Sequence, residues 1–489
     1  MLLGWAIGAV CFGILGDKYG RTRIMFWTIV VYSVCTGLSL FGVSLLFQFL
    51  AGLGIGGQFV VVVALMAETM PDRIRPYALG GLYLFSALGS IAATCLAYPV
   101  FGVFPAVCAY FVFQYLDESE KWKLAVRDKE AERPHAGSFR KLFGPLHRRQ
   151  TVLGMSLAST AVIGFWGVGF FSADLYRNIG DHLAVVRLKA EGATNLDLAM
   201  IAYLVKYPPI IDDTLGFDPT TLLGDTRYLF EAIRDLRERK RPIKDQSVAE
   251  EAINRWNLAE GKGRRTPAIP LDEVKRRKEF FLESLQHGNA LLIEPDRSRD
   301  SGAELWATRK KQLADYLRKI DDRTRLIERE AASWFPTTAL LMNIGAVFGT
   351  FVFTMVAVRF GRRPAFAAFL SASILSMVGV FSFVQTQWGI YTLVPLMGFC
   401  LLSLLGGCTI YLPELFPTQI RSTAIAVCCS TGFFLAACCP FAHTVLKKYV
   451  YTGFVEPIRW AGITMSGIFL IGIVVIWMLP ETKDQPLPS

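Results

Sequence analysis

The sequence predicts an all-α membrane protein with two repeated sets of spanning helices and one soluble helical insertion. Three observations support this fold class. Apolar runs that are long enough to cross a bilayer alternate with short polar turns over most of the 489 residues. A Glu-x-x-Pro-x-x-x-Arg motif occurs twice, at Glu68–Arg75 and at Glu414–Arg421. Between the two copies, residues 177–333 contain no apolar run that is long enough to span.

The composition excludes several classes of function. With 53% hydrophobic and 19% charged residues, the chain is too apolar for a soluble protein and too charged to lie wholly in lipid. The net charge of +10 falls in short segments beside apolar runs, which indicates membrane orientation and argues against a nucleic-acid partner. The ten cysteines lie in or beside apolar runs without ligand spacing, so we expect packing residues, no metal and no cofactor. An enzymatic site would need the insertion, where no phosphate loop or nucleophile elbow is found.

Hydropathy predicts eleven spans, five of them before residue 117. Their limits are roughly 1–16, 25–43, 45–67, 77–98, 100–116, 151–176, 334–358, 364–384, 389–412, 422–446 and 457–479. The predicted domains are a first transmembrane half over 1–116, a linker over 117–150, a single span over 151–176, the insertion over 177–333, further spans over 334–480 and a tail over 481–489.

Charge in the turns predicts the orientation of the chain. The linker 117–150 is rich in Lys and Arg and is predicted to be cytoplasmic, as is the tail. Counting spans from there places the insertion on the extracytoplasmic side, and we expect a multi-pass plasma-membrane protein, specifically of a bacterial inner membrane. The insertion is predicted to be helical, and the sequence does not identify a partner for it.

The segment Gly13–Arg23 carries acidic, basic and glycine residues between two apolar runs, and a weaker copy follows at Arg359–Pro364. It resembles the loop between helices 2 and 3 of the major facilitator superfamily, with Gly-x-x-x-Asp-Lys-x-Gly-Arg. The two Glu-x-x-Pro-x-x-x-Arg segments, with Asp117-Glu118-Ser119 and Pro480-Glu481-Thr482 ending the halves, are similar to the sugar-porter and metabolite–proton-symporter branches of that superfamily.

This resemblance implies a fold of two six-helix repeats. Residues 1–116 then correspond to helices 2–6, residues 151–176 to helix 7 and residues 334–480 to helices 8–12, while helix 1 is missing from the chain. We interpret this as a start placed too late, with a genuine truncation as the alternative. The implied function is secondary transport of a small organic solute, such as a sugar or an organic acid, by alternating access.

Charged residues of the repeated motifs are candidates for a conformational switch on the cytoplasmic side. A carboxylate and a guanidinium on short loops can pair within and across the halves and hold an inner gate shut. We expect these pairs to be exposed, so that each contributes about 0–1 kcal/mol. Asp17 is expected to face the amino end of the helix that begins near Ser422, where the helix dipole favours an anion. The candidate gate residues are Asp17, Gly20, Arg21, Glu68, Arg75, Arg362, Glu414 and Arg421.

Polar and aromatic residues inside the predicted spans are candidates for lining a solute cavity. They are Gln58, Tyr83, Ser86, Trp166, Asn343 and Tyr411. Asp174 and His443 lie near span ends and are candidates for coupling transport to protons, because a carboxylate–imidazole pair can titrate. For each of these residues, helix packing or wetting at the interface is the alternative role.

Two further questions stay open at this level. Gln48 stands where the resemblance implies an arginine linked to proton coupling, and no predicted span carries a central Lys or Arg. A neutral polar solute and a small organic acid are therefore both compatible with the sequence, with or without proton symport. The alternative function is a non-transporting receptor or degenerate carrier that acts through the insertion.

Overall fold

The computed structural model describes most of the predicted transmembrane part of the chain. Regular structure in the described residues is helical, with no strand among them. The described residues are 1–38, 44–96, 114–115, 118–120, 122–123, 139–169, 175–176, 179, 187, 322–323, 325, 336–451, 454, 456–485 and 487–488.

The helices follow the predicted spans closely. In the first half they are α1 (Leu2–Tyr19), α2 (Arg21–Leu38), α3 (Ser44–Thr69) and α4 (Arg75–Leu96). After a short helix at Phe139–Leu142 come α5 (Arg148–Val162), which continues as a π-helical segment over Ile163–Val168, α6 (Pro336–Phe360), α7 (Arg362–Phe383), α8 (Gln387–Leu415), α9 (Arg421–Val445), α10 (Pro457–Ser466) and α11 (Ile468–Met478).

Seven helical stretches in the described residues are long and apolar enough to cross a membrane. They include α1, α3, α6, α7, α8, α9 and the pair α10–α11. The predicted spans at 25–43 and 77–98 are occupied by α2 and α4. Both are helical, but they are not among the stretches that are long and apolar enough to cross a membrane. The predicted span at 100–116 lies almost wholly outside the described residues.

Contacts divide the chain into two units. One contains Met1–Tyr176 and Pro336–Ser489, and the other is Arg177–Phe335.

A single glycine separates α1 from α2, and another separates α6 from α7. Gly20 (φ 103°) separates α1 from α2, and Gly361 (φ 107°) separates α6 from α7. Positive φ is strained for any residue with a Cβ, so glycine permits a junction of one residue. The expectation of a loop over Gly13–Arg23 is therefore wrong, because Asp17 lies in the last turn of α1 and Arg21 begins α2.

Glycines also bring helices into close contact within the first half and between the halves. A Cβ at Gly8 of α1 would lie 2.1 Å from the carbonyl oxygen of Leu53 in α3, which shows that the two backbones touch. A Cβ at Gly13 would lie 2.6 Å from the Cβ of Ala426 in α9. The α1–α9 contact therefore joins the two halves directly.

Candidate functional site

The carboxylate of Asp17, at the end of α1, caps the start of α9. Its Oδ2 accepts hydrogen bonds from the backbone N–H of Thr423 over 2.8 Å and from the Thr423 hydroxyl over 2.7 Å. Both side chains are buried. A carboxylate satisfies otherwise unpaired N–H groups in the first turn of a helix and is stabilised by the helix dipole. The structure thus places Asp17 at the amino end of α9, and the contact crosses between the halves.

Glu68, in the last turn of α3, binds one arginine from each half. Its Oε1 accepts a hydrogen bond from Nη1 of Arg421 over 2.8 Å, and its Oε2 pairs with Nη1 of Arg21. The Nη2 of Arg21 also donates to Asp17 over 3.2 Å and to the Thr418 carbonyl oxygen over 3.0 Å. These contacts and the Asp17–Thr423 contact form one charge network, which contains two carboxylates and two guanidinium groups and so is balanced in charge.

The expectation that these pairs are exposed is wrong. Arg21 and Arg421 are 0% exposed, Asp17 is 1% exposed and Glu68 is 4% exposed. An exposed pair contributes little, whereas a buried charge that loses its partner costs several kcal/mol. The physical reason for the burial is the close α1–α9 packing, which excludes water from the helix ends that carry the charges.

The second half contains a pair equivalent to Arg21–Glu68, and this pair also lies within one half. Arg362, the first residue of α7, donates to both carboxylate oxygens of Glu414 over 3.0 and 2.7 Å. The Thr482 hydroxyl bonds the same carboxylate. Such bidentate pairing fixes both side chains strongly. Arg362 and Glu414 therefore repeat the Arg21–Glu68 pair, within one half.

The two motif arginines have different partners, although their motifs match. Arg421 reaches Glu68 in the other half, while Arg75 stays in its own half, where it donates to the Ala67 carbonyl oxygen over 2.8 Å and pairs with Asp72. The motif residues were expected to pair within and across the halves, and in this structure Arg75 pairs within its half and Arg421 across. The sequence offers a reason, since Asp72 lies three residues before Arg75, whereas Thr418 holds that position before Arg421.

Two further carboxylates hold the helix junctions. Glu118 accepts the backbone N–H groups of Arg21 and Thr22 over 2.9 and 3.0 Å, at the start of α2. Glu481 does the same for Arg362 and Arg363 over 2.8 and 3.0 Å, at the start of α7. The sequence showed the repeated acidic segments but gave them no role. The sequence signal for this role was that Glu118 and Glu481 occupy equivalent places at the ends of the two halves.

Each junction also has a donor that caps the end of the preceding helix. The indole N–H of Trp122 donates to the carbonyl oxygen of Asp17 over 3.2 Å. In the second half, Nζ of Lys483 donates to the carbonyl oxygen of Arg359 over 2.8 Å. The last carbonyls of a helix lack intrahelical partners, and both donors satisfy one of them. Sequence analysis missed both residues, because the two halves use different side chains.

Four of the predicted cavity residues are partly exposed in the described part of the bundle: Gln58, Tyr83, Trp166 and Asn343. The Tyr83 ring contacts Phe59 edge to face at 5.9 Å, and the Asn343 amide donates to the Ala339 carbonyl oxygen in its own helix. Ser86 is exposed on α4. No common site for these residues follows from their contacts.

Tyr411 is a correction to the predicted cavity set. It is 0% exposed, and its hydroxyl donates to the Pro480 carbonyl oxygen, beside the Arg362–Glu414 pair. Its position near the end of α8 therefore removes it from a mid-membrane cavity. Of the two coupling candidates, Asp174 lies outside the described residues, and His443 is 3% exposed in the last turn of α9.

Comparisons with known proteins find transporter families at both ends of the chain. The family model of the Major Facilitator Superfamily matches residues 1–196, and that of the Sugar (and other) transporter family matches residues 335–489. The chain is 30% identical over 188 residues to a cis,cis-muconate transport protein of Acinetobacter baylyi, covering 34% of this chain and 45% of that protein. It is 33% identical over 132 residues to the niacin transporter NiaP of the same organism, covering 24% and 30%.

A solved structure shares the fold. The proton:xylose symporter XylE of E. coli is 14% identical, with 99% of this chain and 86% of that chain covered and a TM-score of 0.50. The chain spans less than half the length of the sequence relatives named above. The two family models together cover both sets of membrane helices and the residues of the charge network, so the chain is similar to the Major Facilitator Superfamily over the first set and to the Sugar (and other) transporter family over the second.

Proposed function

We propose that the chain forms the membrane part of a secondary transporter that moves a small organic solute by alternating access. In this proposal the charge network is the cytoplasmic gate, closed in this structure. The observation that carries the proposal is the Glu68 carboxylate, which holds Arg21 of its own half and Arg421 of the other half at once. An ionic contact between two halves that must separate is suited to a gate.

The balance of charge explains how such a gate can both close and open. With two carboxylates and two arginines, the closed network leaves no uncompensated charge in the protein interior. When the halves separate, water replaces the lost partners, so the large desolvation cost of the closed state is returned. The two states can then lie within a few kcal/mol of one another, as an alternating-access cycle requires.

The class of solute is inferred from charge and from the relatives. None of the described spans carries a Lys or Arg near its centre, which disfavours a solute with several negative charges. The named relatives transport niacin and cis,cis-muconate, both small organic acids. We infer a small metabolite of this size, with proton coupling as part of the proposal and His443 as the described residue that would titrate.

The topology completes the proposal. We place the linker 117–150 and the tail 481–489 in the cytoplasm, and the insertion 177–333 outside it, in a bacterial inner membrane. The basic linker supports this orientation. Protease added to spheroplasts should cut the insertion and leave the linker intact, and the reverse pattern would overturn the orientation.

Transport itself is tested in proteoliposomes that contain the purified chain. We expect saturable uptake of at least one small organic acid from a labelled panel, faster with a proton gradient directed inward. The Arg421→Ala variant is the matched control and should reduce that uptake strongly. Solute binding without any flux by the wild-type chain would contradict transport and favour the receptor alternative.

A further inference from the structure

One face of α11 is covered by neighbouring helices, and the opposite face is exposed. A Cβ at Gly472 would lie 2.8 Å from Cγ2 of Thr160 in α5 and 2.9 Å from Cδ2 of Leu370 in α7, so α11 packs against both helices. The residues on the opposite face are all apolar and are 51–63% exposed; they are Leu470, Ile471, Val474, Trp477 and Met478. We call these five residues the α11 stripe. In a helix that spans a bilayer, such a face lies against lipid.

Two arginines lie at the end of this stripe. Arg363, the second residue of α7, donates from Nη2 to the Trp477 carbonyl oxygen over 2.6 Å, and its guanidinium carbon lies 5.1 Å from the centre of the Trp477 ring. Arg149, the second residue of α5, has its Nη2 3.5 Å from the Met478 carbonyl oxygen. Met478 is the last residue of α11, so both guanidinium groups lie where the exposed helix face ends.

Neither guanidinium is paired with a carboxylate in the described part of the chain, where the ion pairs use other cations. Glu481, the carboxylate at this junction, accepts the backbone N–H groups of Arg362 and Arg363. A guanidinium has five N–H donors, and each carbonyl contact occupies one of them. Two positive charges therefore lie at the edge of the apolar stripe without a counterion from the described residues.

Capping of α11 explains only part of this arrangement. Arginines beside the last carbonyls of a helix are favoured by the helix dipole. A cap does not require an exposed apolar face that runs from the charges into the bilayer. The stripe extends from Met478 back to Leu470, about 12 Å along the helix axis, which is most of the ~15 Å depth of one leaflet. A phospholipid has the complementary design, because its phosphate is joined to acyl chains that fill one leaflet.

We propose that Arg149 and Arg363 bind the phosphate of an anionic phospholipid whose acyl chain lies along the α11 stripe. Two cations without carboxylate partners favour a lipid with net negative charge, such as phosphatidylglycerol, over the zwitterionic phosphatidylcholine. The ring of Trp477 is suited to the headgroup level, where indoles are enriched. In the proposed orientation the site faces the cytoplasmic leaflet. It lies outside the charge network and does not depend on which solute is transported.

The test compares two lipids that differ in the headgroup alone. Phosphatidylglycerol and phosphatidylcholine with the same acyl chains are titrated onto the purified full chain in detergent, and the affinity of the bound lipid is measured by native mass spectrometry. One arginine near an anionic headgroup contributes about fivefold in affinity, so we expect a preference of roughly ten- to thirtyfold for phosphatidylglycerol. Equal binding of the two lipids would overturn the proposal.

Variants locate the site. Arg149→Gln and Arg363→Gln should each lower the preference for phosphatidylglycerol about fivefold, and the double variant should remove it. Arg73 provides the matched control, because it is an exposed arginine in the turn between α3 and α4, in the other half of the chain. Arg73→Gln should leave the preference unchanged. A preference that survives in the double variant would show that the anionic lipid binds elsewhere.

Unfolding temperatures separate lipid binding from helix capping. If the two arginines bind the headgroup, each glutamine variant should lose more stability in phosphatidylglycerol nanodiscs than in phosphatidylcholine nanodiscs. An equal loss in both lipids would reduce the arginines to caps and overturn the site. Glycerol 3-phosphate supplies the phosphate without acyl chains, and we expect it not to displace phosphatidylglycerol at equal concentration. Displacement would show that the stripe contributes nothing and would also contradict a lipid site.

Discussion

Glu68 and Arg421 are 353 residues apart in the chain, yet Nη1 of the arginine donates to Oε1 of the glutamate over 2.8 Å. The arginine is fully buried and the glutamate nearly so. This pair, together with the Asp17–Thr423 contact, joins the first half of the membrane bundle to the second. Breaking this pair therefore tests most directly whether the two halves separate.

Replacing Arg421 by alanine should open the network end of the bundle. The change leaves Glu68 without its partner from the other half, and breaking a buried pair from one side costs about 3–5 kcal/mol. Spin labels at the exposed residues Arg73 and Phe360 report the distance between the halves. We expect that distance to increase in Arg421→Ala. Arg75→Ala is the control, because Arg75 bonds only within its own half in the described contacts, and an equal increase there would contradict this assignment.

Replacing Thr418 by aspartate should redirect Arg421. The first motif has Asp72 at this position, and Asp72 pairs with Arg75 three residues later. An aspartate at position 418 should compete with Glu68 for Arg421, since the local partner requires less ordering. The same spin labels should then show the open distance without loss of either arginine. The reverse change, Asp72→Thr, is the companion variant, and an unchanged distance in Thr418→Asp would refute the competition.

Replacing Asp17 by asparagine should weaken the cap on α9 without removing it. The amide oxygen still accepts from the Thr423 N–H, but the charge that pairs with Arg21 is lost. We expect the closed state to lose about 1–3 kcal/mol of stability relative to the open state. The measurement is the share of closed and open spin-label distances at several temperatures, without denaturant. Asp72→Asn, at a 69% exposed side chain, should change those populations far less.

Adding one methyl group at Gly13 should separate α1 from α9. The new Cβ would lie 2.6 Å from the Ala426 Cβ and 3.1 Å from the Ser422 carbonyl oxygen, so the helices must move apart. Overpacking of this kind costs about 1–3 kcal/mol. Thermal unfolding of Gly13→Ala in nanodiscs should therefore start at a lower temperature than in the wild type. At Gly81 an added Cβ meets nothing within 4 Å, and Gly81→Ala should be neutral or stabilising.

Neutralising Glu118 should destabilise the α1–α2 junction but leave the gate closed. The carboxylate accepts two backbone N–H groups at the start of α2, and a charged acceptor there contributes about 1–2 kcal/mol. Glu118→Gln should lower the unfolding temperature, and Glu481→Gln should do the same for the second half. The spin-label distance should stay at the closed value, since neither carboxylate contacts the other half in the described bonds. Glu120→Gln, at an 81% exposed side chain, is the control.

Much of the fold could be predicted from local patterns. Helix limits such as Arg362–Phe383 lie within two residues of the predicted span, because hydropathy and length are properties of a single segment. The position of Asp17 at the start of α9 was also expected, since a carboxylate after one span and an unpaired helix start after another are complementary. Hydropathy, length and charge were enough for both.

What the sequence by itself determined is therefore the all-helical membrane fold, the repeated motifs and the residues that carry the charges. Only the tertiary structure decided that these charges are buried, that Arg421 rather than Arg75 crosses between the halves, that Tyr411 lies beside Pro480, and that Arg363 lies over Trp477. The physical reason is that burial and partner choice depend on the packing of segments hundreds of residues apart. The two motifs differ locally in Asp72 and Thr418, but only the packed structure shows that this difference leaves Arg421 to reach across.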